Sequence, residues 1–165
     1  MLSRIKNAGI IIIVAVAFAA ALCGCGTDDI DITGYADEQI AIEGIADGTM
    51  YVSVAELKGM KCVTIKTEST SDKIGEVKAT GPTLETVLAA NGTDISDVAK
   101  LTFHGADNYS YSLKDDYIAA HDIILAFGID GKPLEEDEVP CRIIIPESDS
   151  AYWIRMLDKI TIEKK

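Results

Sequence analysis

The sequence predicts an α+β fold with mixed β-sheets and few short helices. Apolar and polar residues alternate in several segments of strand length, namely QIAIEG, VTIKT, KLTFHG and KITIEK. DIILAF and CRIII are almost continuously apolar, which is typical of strands that are covered on both faces. Asp130-Gly131, between apolar segments, predicts a tight turn. Shorter segments between the strands have the i, i+3, i+4 apolar spacing of a helix, so both kinds of element belong to one domain.

Three short helices have recognisable start signals. Ser53 and Glu56 match a capping box ahead of VAELKG, because the hydroxyl and the carboxylate each satisfy a free N–H group of the first turn. Thr83 precedes the apolar stripe of LETVLAA, and Asn-Gly follows it as a stop signal. Ser112 and Asp115 predict the start of a third helix, which runs through DDYIAAHD.

The N-terminus has the features of an export signal. Arg4 and Lys6 precede an apolar segment of about 15 residues, which is shorter than the roughly 20 that a membrane-spanning helix needs. The segment ends in LCGC, which resembles the bacterial lipobox, and this resemblance implies cleavage before Cys25 and attachment of a diacylglyceryl group to its sulfur. Two alternatives are an uncleaved membrane helix and a metal or redox pair with Cys23. The pair is disfavoured because Cys23 lies in the apolar segment, with no histidine or further cysteine nearby.

The predicted cleavage before Cys25 determines the expected domain organisation and the net charge of the mature chain. We expect a lipoprotein signal peptide at residues 1–24, an acidic tether at 25–38 and a single domain at 39–165. The chain has a net charge of −12, and removal of Arg4 and Lys6 with the signal leaves −14. Such an acidic protein is repelled by nucleic acids and by anionic headgroups. The membrane is therefore expected as a partner only through the lipid on Cys25, at the outer face of the cytoplasmic membrane.

The order of segments within the domain is that of a known family. LTFHGADNYSYSLKDDYIAAHDIILAFGIDGKPL resembles the central block of the sulfite oxidase-type molybdopterin-binding domain. ATGPTLETVLAANG upstream and VPCRIIIP downstream resemble the neighbouring blocks of that family. Together they cover about residues 40–162. The resemblance implies the sulfite oxidase-type molybdopterin-binding fold for most of the mature chain.

The same resemblance implies that three cofactor contacts of the family have changed. In catalytic members a cysteine thiolate after the strand that corresponds to VTIKT ligates molybdenum, and Ser69 or a neighbour stands there in this chain. An Asp-His-Gly that contacts the pterin is replaced by DEV at 137–139. A lysine-rich segment that grips the pterin is replaced by YWIRM, in which only Arg155 is positively charged. We therefore expect no molybdenum cofactor. The remaining candidate cofactor contacts are Ser69, His104, Arg142 and Arg155.

Several other residues keep more than one interpretation. Cys62 and Cys141 are either buried thiols or a disulfide, and Cys62 is also a candidate for a displaced molybdenum ligand. LEEDEVP is interpreted as a solvated run of charge rather than a calcium loop, because it lacks the spaced oxygen ligands. The aromatic residues of NYSYS and AYW either line a cleft for an apolar or sugar ligand or belong to the core.

These observations predict a non-catalytic module that binds a small ligand or a protein partner, neither of which the sequence identifies. One alternative is a membrane-tethered oxidoreductase that keeps a pterin cofactor through altered ligands. Another is an accessory subunit that docks on a redox partner.

Overall fold

The computed structural model describes residues 30–71 and 74–165. The predicted signal peptide, the lipidation site at Cys25 and the first part of the tether lie outside the described residues. No helix in these two ranges is long and apolar enough to cross a membrane. The strands are β1 (Gln39–Glu43), β2 (Thr49–Ser53), β3 (Cys62–Thr67), β4 (Val77–Pro82), β5 (Val98–Gly105), β6 (Ser110–Lys114), β7 (Ile124–Ala126), β8 (Gly128–Ile129), β9 (Lys132–Pro133), β10 (Arg142–Ile144) and β11 (Leu157–Lys164). The helices are α1 (Val54–Gly59), α2 (Leu84–Ala90) and α3 (Asp115–Ala120).

The strands form two sheets and a separate pair. A five-stranded sheet has the order β2-β1-β11-β5-β6, in which β1 and β11 are parallel and the other neighbours are antiparallel. A four-stranded antiparallel sheet has the order β3-β4-β8-β9, and β7 pairs with β10. The predicted turn at Asp130-Gly131 joins β8 to β9, with both residues at positive φ, as a two-residue hairpin turn requires. The α+β prediction is confirmed.

The alternating segments place their apolar residues in the core. Every second residue is buried throughout β1, from Leu101 onward in β5 and at Ile160 and Ile162 in β11, and the intervening ones are not. The two apolar runs become β7 and β10, which are buried along their whole length, as strands covered on both faces should be. The buried alternating residues of these three strands include Ile40, Ile42, Leu101, Phe103, Ile160 and Ile162.

The first two helices begin where the sequence predicts. The Ser53 Oγ accepts a hydrogen bond from the Glu56 N–H at 3.2 Å, and the Glu56 carboxylate accepts one from the Ser53 N–H at 2.7 Å. The bonds that the Glu56 carboxylate accepts from the Ser53 N–H and hydroxyl lower the pKa of Glu56. The Thr83 Oγ1 accepts from the Thr86 N–H at 3.1 Å and caps α2. The two N-terminal caps therefore satisfy the free donors of their first turns.

The predicted start of the third helix is wrong. Ser112 lies inside β6, opposite Thr102 of β5, and the two hydroxyls are 2.8 Å apart. Leu113 is buried as part of the alternating strand, and α3 begins only at Asp115, with no side-chain cap from Lys114. Strand pairing with β5 and burial of Leu113 outweigh the capping signal, which belongs to a helix of only six residues.

The part of the predicted tether that the structure describes packs against the domain. Ile30, Ile32 and Tyr35 are buried in the core. The Tyr35 hydroxyl donates a hydrogen bond to the Phe127 carbonyl at 2.7 Å and accepts one from the Leu134 N–H at 3.0 Å. Burial raises the pKa of the Tyr35 phenol. The domain therefore includes residues 30–38, and the boundary expected at residue 39 is too late, because an acidic segment can still bury its apolar residues.

Candidate functional site

Ser69 lies just after the end of β3 and belongs to a cluster of three hydroxyls. The Ser69 Oγ accepts hydrogen bonds from the N–H groups of Ser71, at 3.1 Å, and Ser150, at 2.8 Å. It also lies 2.9 Å from the Ser71 Oγ, which is 2.8 Å from the Ser150 Oγ. We call Ser69, Ser71 and Ser150 the serine cluster. The Ser69 oxygen thus has three partners within the protein, and two of them use its lone pairs.

The serine cluster joins two loops that are distant in the sequence. The Thr70 N–H donates to the Ser148 carbonyl at 3.0 Å, and the Glu147 N–H donates to the Thr67 Oγ1 at 3.3 Å. Glu147 has a φ of 58°, in the left-handed region that non-glycine residues rarely adopt. The second loop is supported by Trp153, whose indole N–H donates to the Ile145 carbonyl at 2.9 Å. Backbone bonds as well as hydroxyls therefore fix the position of Ser69.

A cleft of about 390 Å³ opens beside Ser69. Its charged lining consists of three glutamates and one lysine, and Lys66 is already paired with Glu76 at 2.7 Å. Within the described part of the chain, Glu68 and Glu147 have no cationic partner. Among the described residues that line the cleft, carboxylates therefore outnumber cations by three to one. It is lined by Lys66, Thr67, Glu68, Ser69, Thr70, Glu76 and Glu147.

The two arginine candidates use their charges on neighbouring carboxylates. Arg142 is buried and donates to the Glu138 carboxylate at 2.8 Å. Arg155 is half-exposed and pairs with Asp137 at 2.8 Å and with Glu138 at 3.6 Å. Burial lowers the pKa of Arg142, although a guanidinium stays protonated at any ordinary pH. The structure thus brings Arg142 and Arg155 together, on the DEV segment that replaces the family's histidine motif.

His104 lies apart from the other candidates. It is half-buried on β5, and its Nε2 is 3.2 Å from the Thr161 Oγ1 of β11. It borders a small polar cavity of about 250 Å³ that also includes Lys159 and Tyr109. Ser69 and the two arginines are not part of this cavity. The four candidate residues therefore do not form one site.

The aromatic residues mainly support the loop that carries Ser150. The Tyr109 hydroxyl donates to the Ala151 carbonyl at 2.8 Å, and the Tyr111 hydroxyl donates to the Tyr152 carbonyl. The rings of Tyr111 and Tyr152 pack edge to face, with centroids 5.3 Å apart. Burial raises the pKa of Tyr111 well above its ordinary value. Packing and hydroxyl contacts, rather than a ligand cleft, account for these side chains.

The two cysteines of the domain lie in different environments. Cys141 is a completely buried free thiol, so it forms no disulfide with Cys62, and burial raises the pKa of this thiol. Cys62 begins β3, whereas Ser69 follows the end of the same strand. At about 3.3 Å per residue, these two positions are roughly 20 Å apart. This separation removes the support for Cys62 as a displaced molybdenum ligand.

Sequence reasoning missed most of the residues around Ser69. Ser150 and Glu147 are about 80 positions away along the chain, and only the tertiary fold brings them to the cleft. Asp149, whose carboxylate caps a short helical turn at the Ala151 N–H, is the one local signal in this loop. In the described ranges no group of three or more His, Cys, Asp or Glu side chains is arranged to hold a metal ion.

Comparison with known proteins identifies the family. Residues 29–165 match the family described as the oxidoreductase molybdopterin binding domain. The chain belongs to this family. It is similar in structure to the sulfane dehydrogenase SoxCD from Paracoccus pantotrophus, with a TM-score of 0.63 and 20% sequence identity. The match covers 79% of this chain and 39% of that chain, so this domain spans well under half of that structure and shares its fold. A comparison with curated proteins gives no match.

The residues around Ser69 do not fit the cofactor that the family name implies. Molybdopterin carries a phosphate and a dithiolene, and soft thiolate ligands suit the metal better than a protonated hydroxyl. At the position that the sequence resemblance implies for the protein ligand, the Ser69 oxygen is already bonded to Ser71 and Ser150. The cleft beside it is acidic, and both arginines are paired with carboxylates. A phosphate group would meet repulsion there rather than charge-assisted hydrogen bonds.

Proposed function

We propose that this protein is a membrane-anchored extracytoplasmic lipoprotein whose molybdopterin-binding domain acts as a binding or interaction module without molybdenum. The observation that carries the proposal is the environment of Ser69. Its hydroxyl oxygen accepts two backbone N–H bonds at 2.8 and 3.1 Å and borders a cleft with three glutamates. The domain keeps the fold of an oxidoreductase family, whereas the side chains of this cleft favour neither the metal nor its phosphate.

The hydrogen bonding of Ser69 makes it a poor metal ligand. A serine ligates a metal best as an alkoxide, which needs a nearby positive charge or a base to lower the pKa of the hydroxyl. Among the described residues that line the cleft, the charged groups are three carboxylates and Lys66, and Lys66 is paired with Glu76. Carboxylates near a hydroxyl favour its neutral form. Ser69 therefore acts as a structural residue that holds the two loops together.

The proposed anchor places the domain near the membrane. Cys25 is separated from Ile30, which is buried in the core, by only the residues 26–29. Even fully extended, this connection reaches at most about 18 Å. Two acyl chains give stable attachment where a single chain is marginal. We therefore expect the module to act within a short distance of the lipid surface, on a ligand or partner that is present there.

Elemental analysis tests the proposed absence of molybdenum. The full chain is exported by a host that makes the cofactor, purified, and analysed for molybdenum and, after oxidation, for pterin fluorescence. We expect both signals at background. Near-stoichiometric molybdenum with pterin would contradict the proposal and support the alternative, a membrane-tethered oxidoreductase with altered ligands.

Two variants show which residue is responsible for the presence or the absence of molybdenum. If molybdenum is present and disappears in Cys62→Ser, then Cys62 is the ligand despite its place at the start of β3. Ser69→Cys supplies the missing thiol in the wild-type cleft. We expect this variant to remain free of molybdenum, because the glutamates beside it are unchanged. Molybdenum in Ser69→Cys alone would mean that the ligand atom, and not the charge of the cleft, prevents binding.

A further inference from the structure

The five-stranded sheet has one face against the core and one open face. The buried residues of β1, β2, β5, β6 and β11 all point to the core, and the intervening residues are half-buried or exposed. None of the side chains on the outward face falls among the buried residues of the described chain. Antiparallel sheets commonly leave one face in water, with polar side chains directed outward.

The strand registers arrange the outward side chains in rows that cross the sheet. In the first row Tyr51 is opposite Ala41, which is opposite Lys159, and Lys159 is opposite His104. Tyr51 is 60% exposed, the highest value among the large apolar side chains that the structure describes. Because its cross-strand neighbour is only an alanine, much of the Tyr51 side chain stays in contact with solvent. The row runs in the order Tyr51, Ala41, Lys159, His104, Ser110.

The second row consists mainly of hydroxyl groups. The Thr102 Oγ1 and the Ser112 Oγ are 2.8 Å apart, and Thr161 bonds the imidazole of His104 at 3.2 Å. Each of these hydroxyls still has capacity for a ligand, whereas the Nε2 of His104 is used by Thr161. The row runs in the order Thr49, Glu43, Thr161, Thr102, Ser112.

The charges of the open face are largely neutralised within it. Lys159 pairs with Glu43 at 3.5 Å, and Lys100 pairs with Glu163 at 2.7 Å. With Lys114 and with Asp158, which borders the cavity beside His104 and Lys159, the face has three lysines and three carboxylates, on a chain whose net charge is −12. The face therefore lacks the acidic character of the rest of the protein.

From this combination we propose that the open face binds a linear, uncharged polysaccharide. A pyranose ring packs its C–H groups on a flat aromatic ring, as Tyr51 provides, while sugar hydroxyls exchange hydrogen bonds with Thr, Ser and His side chains. A flat face suits a polymer better than a small molecule, which needs a concave pocket. A stable protein interface needs a larger apolar centre than Tyr51 and Ala41 supply, and nucleic acid needs a net positive field.

A titration with two oligosaccharides tests this proposal. The full mature chain is titrated with chitohexaose and with cellohexaose, and binding is followed by NMR shifts of the amides in β1, β2, β5 and β11. We expect at least one hexasaccharide to shift these amides, and the comparison distinguishes an N-acetylated from an unsubstituted glycan. No shift with either one at millimolar concentration would overturn the proposal, as would tighter binding of an anionic oligoglucuronate.

Two substitutions at one position provide the matched comparison. Tyr51→Ala is expected to weaken binding by about tenfold, whereas Tyr51→Phe, which keeps the ring, should change it by no more than about twofold. Equal loss in both variants would contradict stacking on the ring. Sedimentation of the protein without ligand tests whether this face instead mediates self-association. If the wild-type protein is a dimer and Tyr51→Ala is a monomer, then the face mediates self-association, and this result would overturn the proposal of glycan binding.

The glycan proposal is separable from the proposed absence of molybdenum. The open face and the cleft beside Ser69 have no residue in common. Either experiment can therefore fail without affecting the other.

Discussion

At the scale of single residues, burial determines how much an ion pair contributes to stability. The Arg142 and Glu138 side chains are 6% and 9% exposed, whereas those of Arg155 and Asp137 are 53% and 68% exposed. Removal of one partner from a buried pair leaves an uncompensated charge, which typically costs about 3–5 kcal/mol. Exposed pairs usually contribute about 0–1 kcal/mol because water and salt screen them.

We therefore expect Glu138→Ala to lower the free energy of unfolding by about 3–5 kcal/mol. Asp137→Ala, one residue away, is the control and should cost no more than about 1 kcal/mol. Urea titrations of the two variants measure the difference. Similar losses would show that the neighbouring Asp137 carboxylate, which also interacts favourably with the charge of Arg142, compensates for the missing Glu138 carboxylate.

The predicted lipid anchor also depends on one residue. Cys25→Ser should remove the sulfur that accepts the diacylglyceryl group, so the protein should leave the membrane fraction or keep its signal peptide. Cys23→Ser should change neither property, because Cys23 lies in the predicted signal. Fractionation of cells and the mass of the mature chain measure both effects. A requirement for Cys23 instead of Cys25 would refute the lipobox interpretation.

At the scale of elements, α2 is stabilised by its buried stripe. Leu84, Val87 and Leu88 are all completely or almost completely buried. Leu88→Ala should therefore cost on the order of 2–5 kcal/mol, the usual range for truncation of a core leucine. Glu85→Ala on the exposed side of the same helix should change the stability by less than about 0.5 kcal/mol. Denaturant titration compares the two, and a small effect of Leu88→Ala would contradict its packing in the core.

The capping box of α1 predicts a small dependence of stability on pH. The pKa of Glu56 is lowered from its ordinary value of 4.5 by the bonds from Ser53. A lowered pKa contributes stability above pH 4.5, and this contribution is lost as the pH falls through the folded-state value. Ser53→Ala should cost about 1 kcal/mol at pH 7 and less below pH 4.5, where the Glu56 carboxylate becomes protonated.

Thermal unfolding of wild type and Ser53→Ala at a series of pH values measures this trend. Glu56→Gln is the control, since it should remove the pH dependence while keeping a side chain that accepts hydrogen bonds. A difference between wild type and Ser53→Ala that stays constant down to pH 3 would show that the hydroxyl alone caps the helix.

At the scale of the whole molecule, the segment 30–38 is attached by Tyr35 to two distant parts of the chain. Tyr35→Phe removes a hydroxyl that bonds both Phe127 and Leu134. The buried Leu134 N–H would lose its partner, so we expect a loss of about 1–3 kcal/mol. Tyr51→Phe, which removes the hydroxyl of an exposed tyrosine, is the control and should have almost no effect on stability.

Amide hydrogen exchange shows whether the segment unfolds with the domain. In Tyr35→Phe the amide of Leu134 should exchange faster, because the hydroxyl that accepts its hydrogen bond is absent. Unchanged exchange at Leu134, together with unchanged stability, would mean that residues 30–38 are attached by their apolar side chains alone.

The features that depend on neighbours along the chain could be predicted from the amino-acid sequence alone. Period-two alternation identified β1, β5 and β11, and the capping signals identified α1 and α2, because both depend on residues within a few positions. The ordered series of short motifs was also sufficient to predict the family fold, which the match over residues 29–165 confirms.

The features that depend on distant partners could not be predicted in this way, because those partners are brought together only in the folded chain. Ser112 has a good helix-start signal, yet pairing with Thr102 keeps it in a strand. The acidic segment at 30–38 is part of the domain because Phe127 and Leu134 bond Tyr35. Ser69 meets Ser150 across 81 positions of sequence. Local patterns report the intrinsic preference of a segment, whereas burial and pairing are contributed by residues that no local pattern contains.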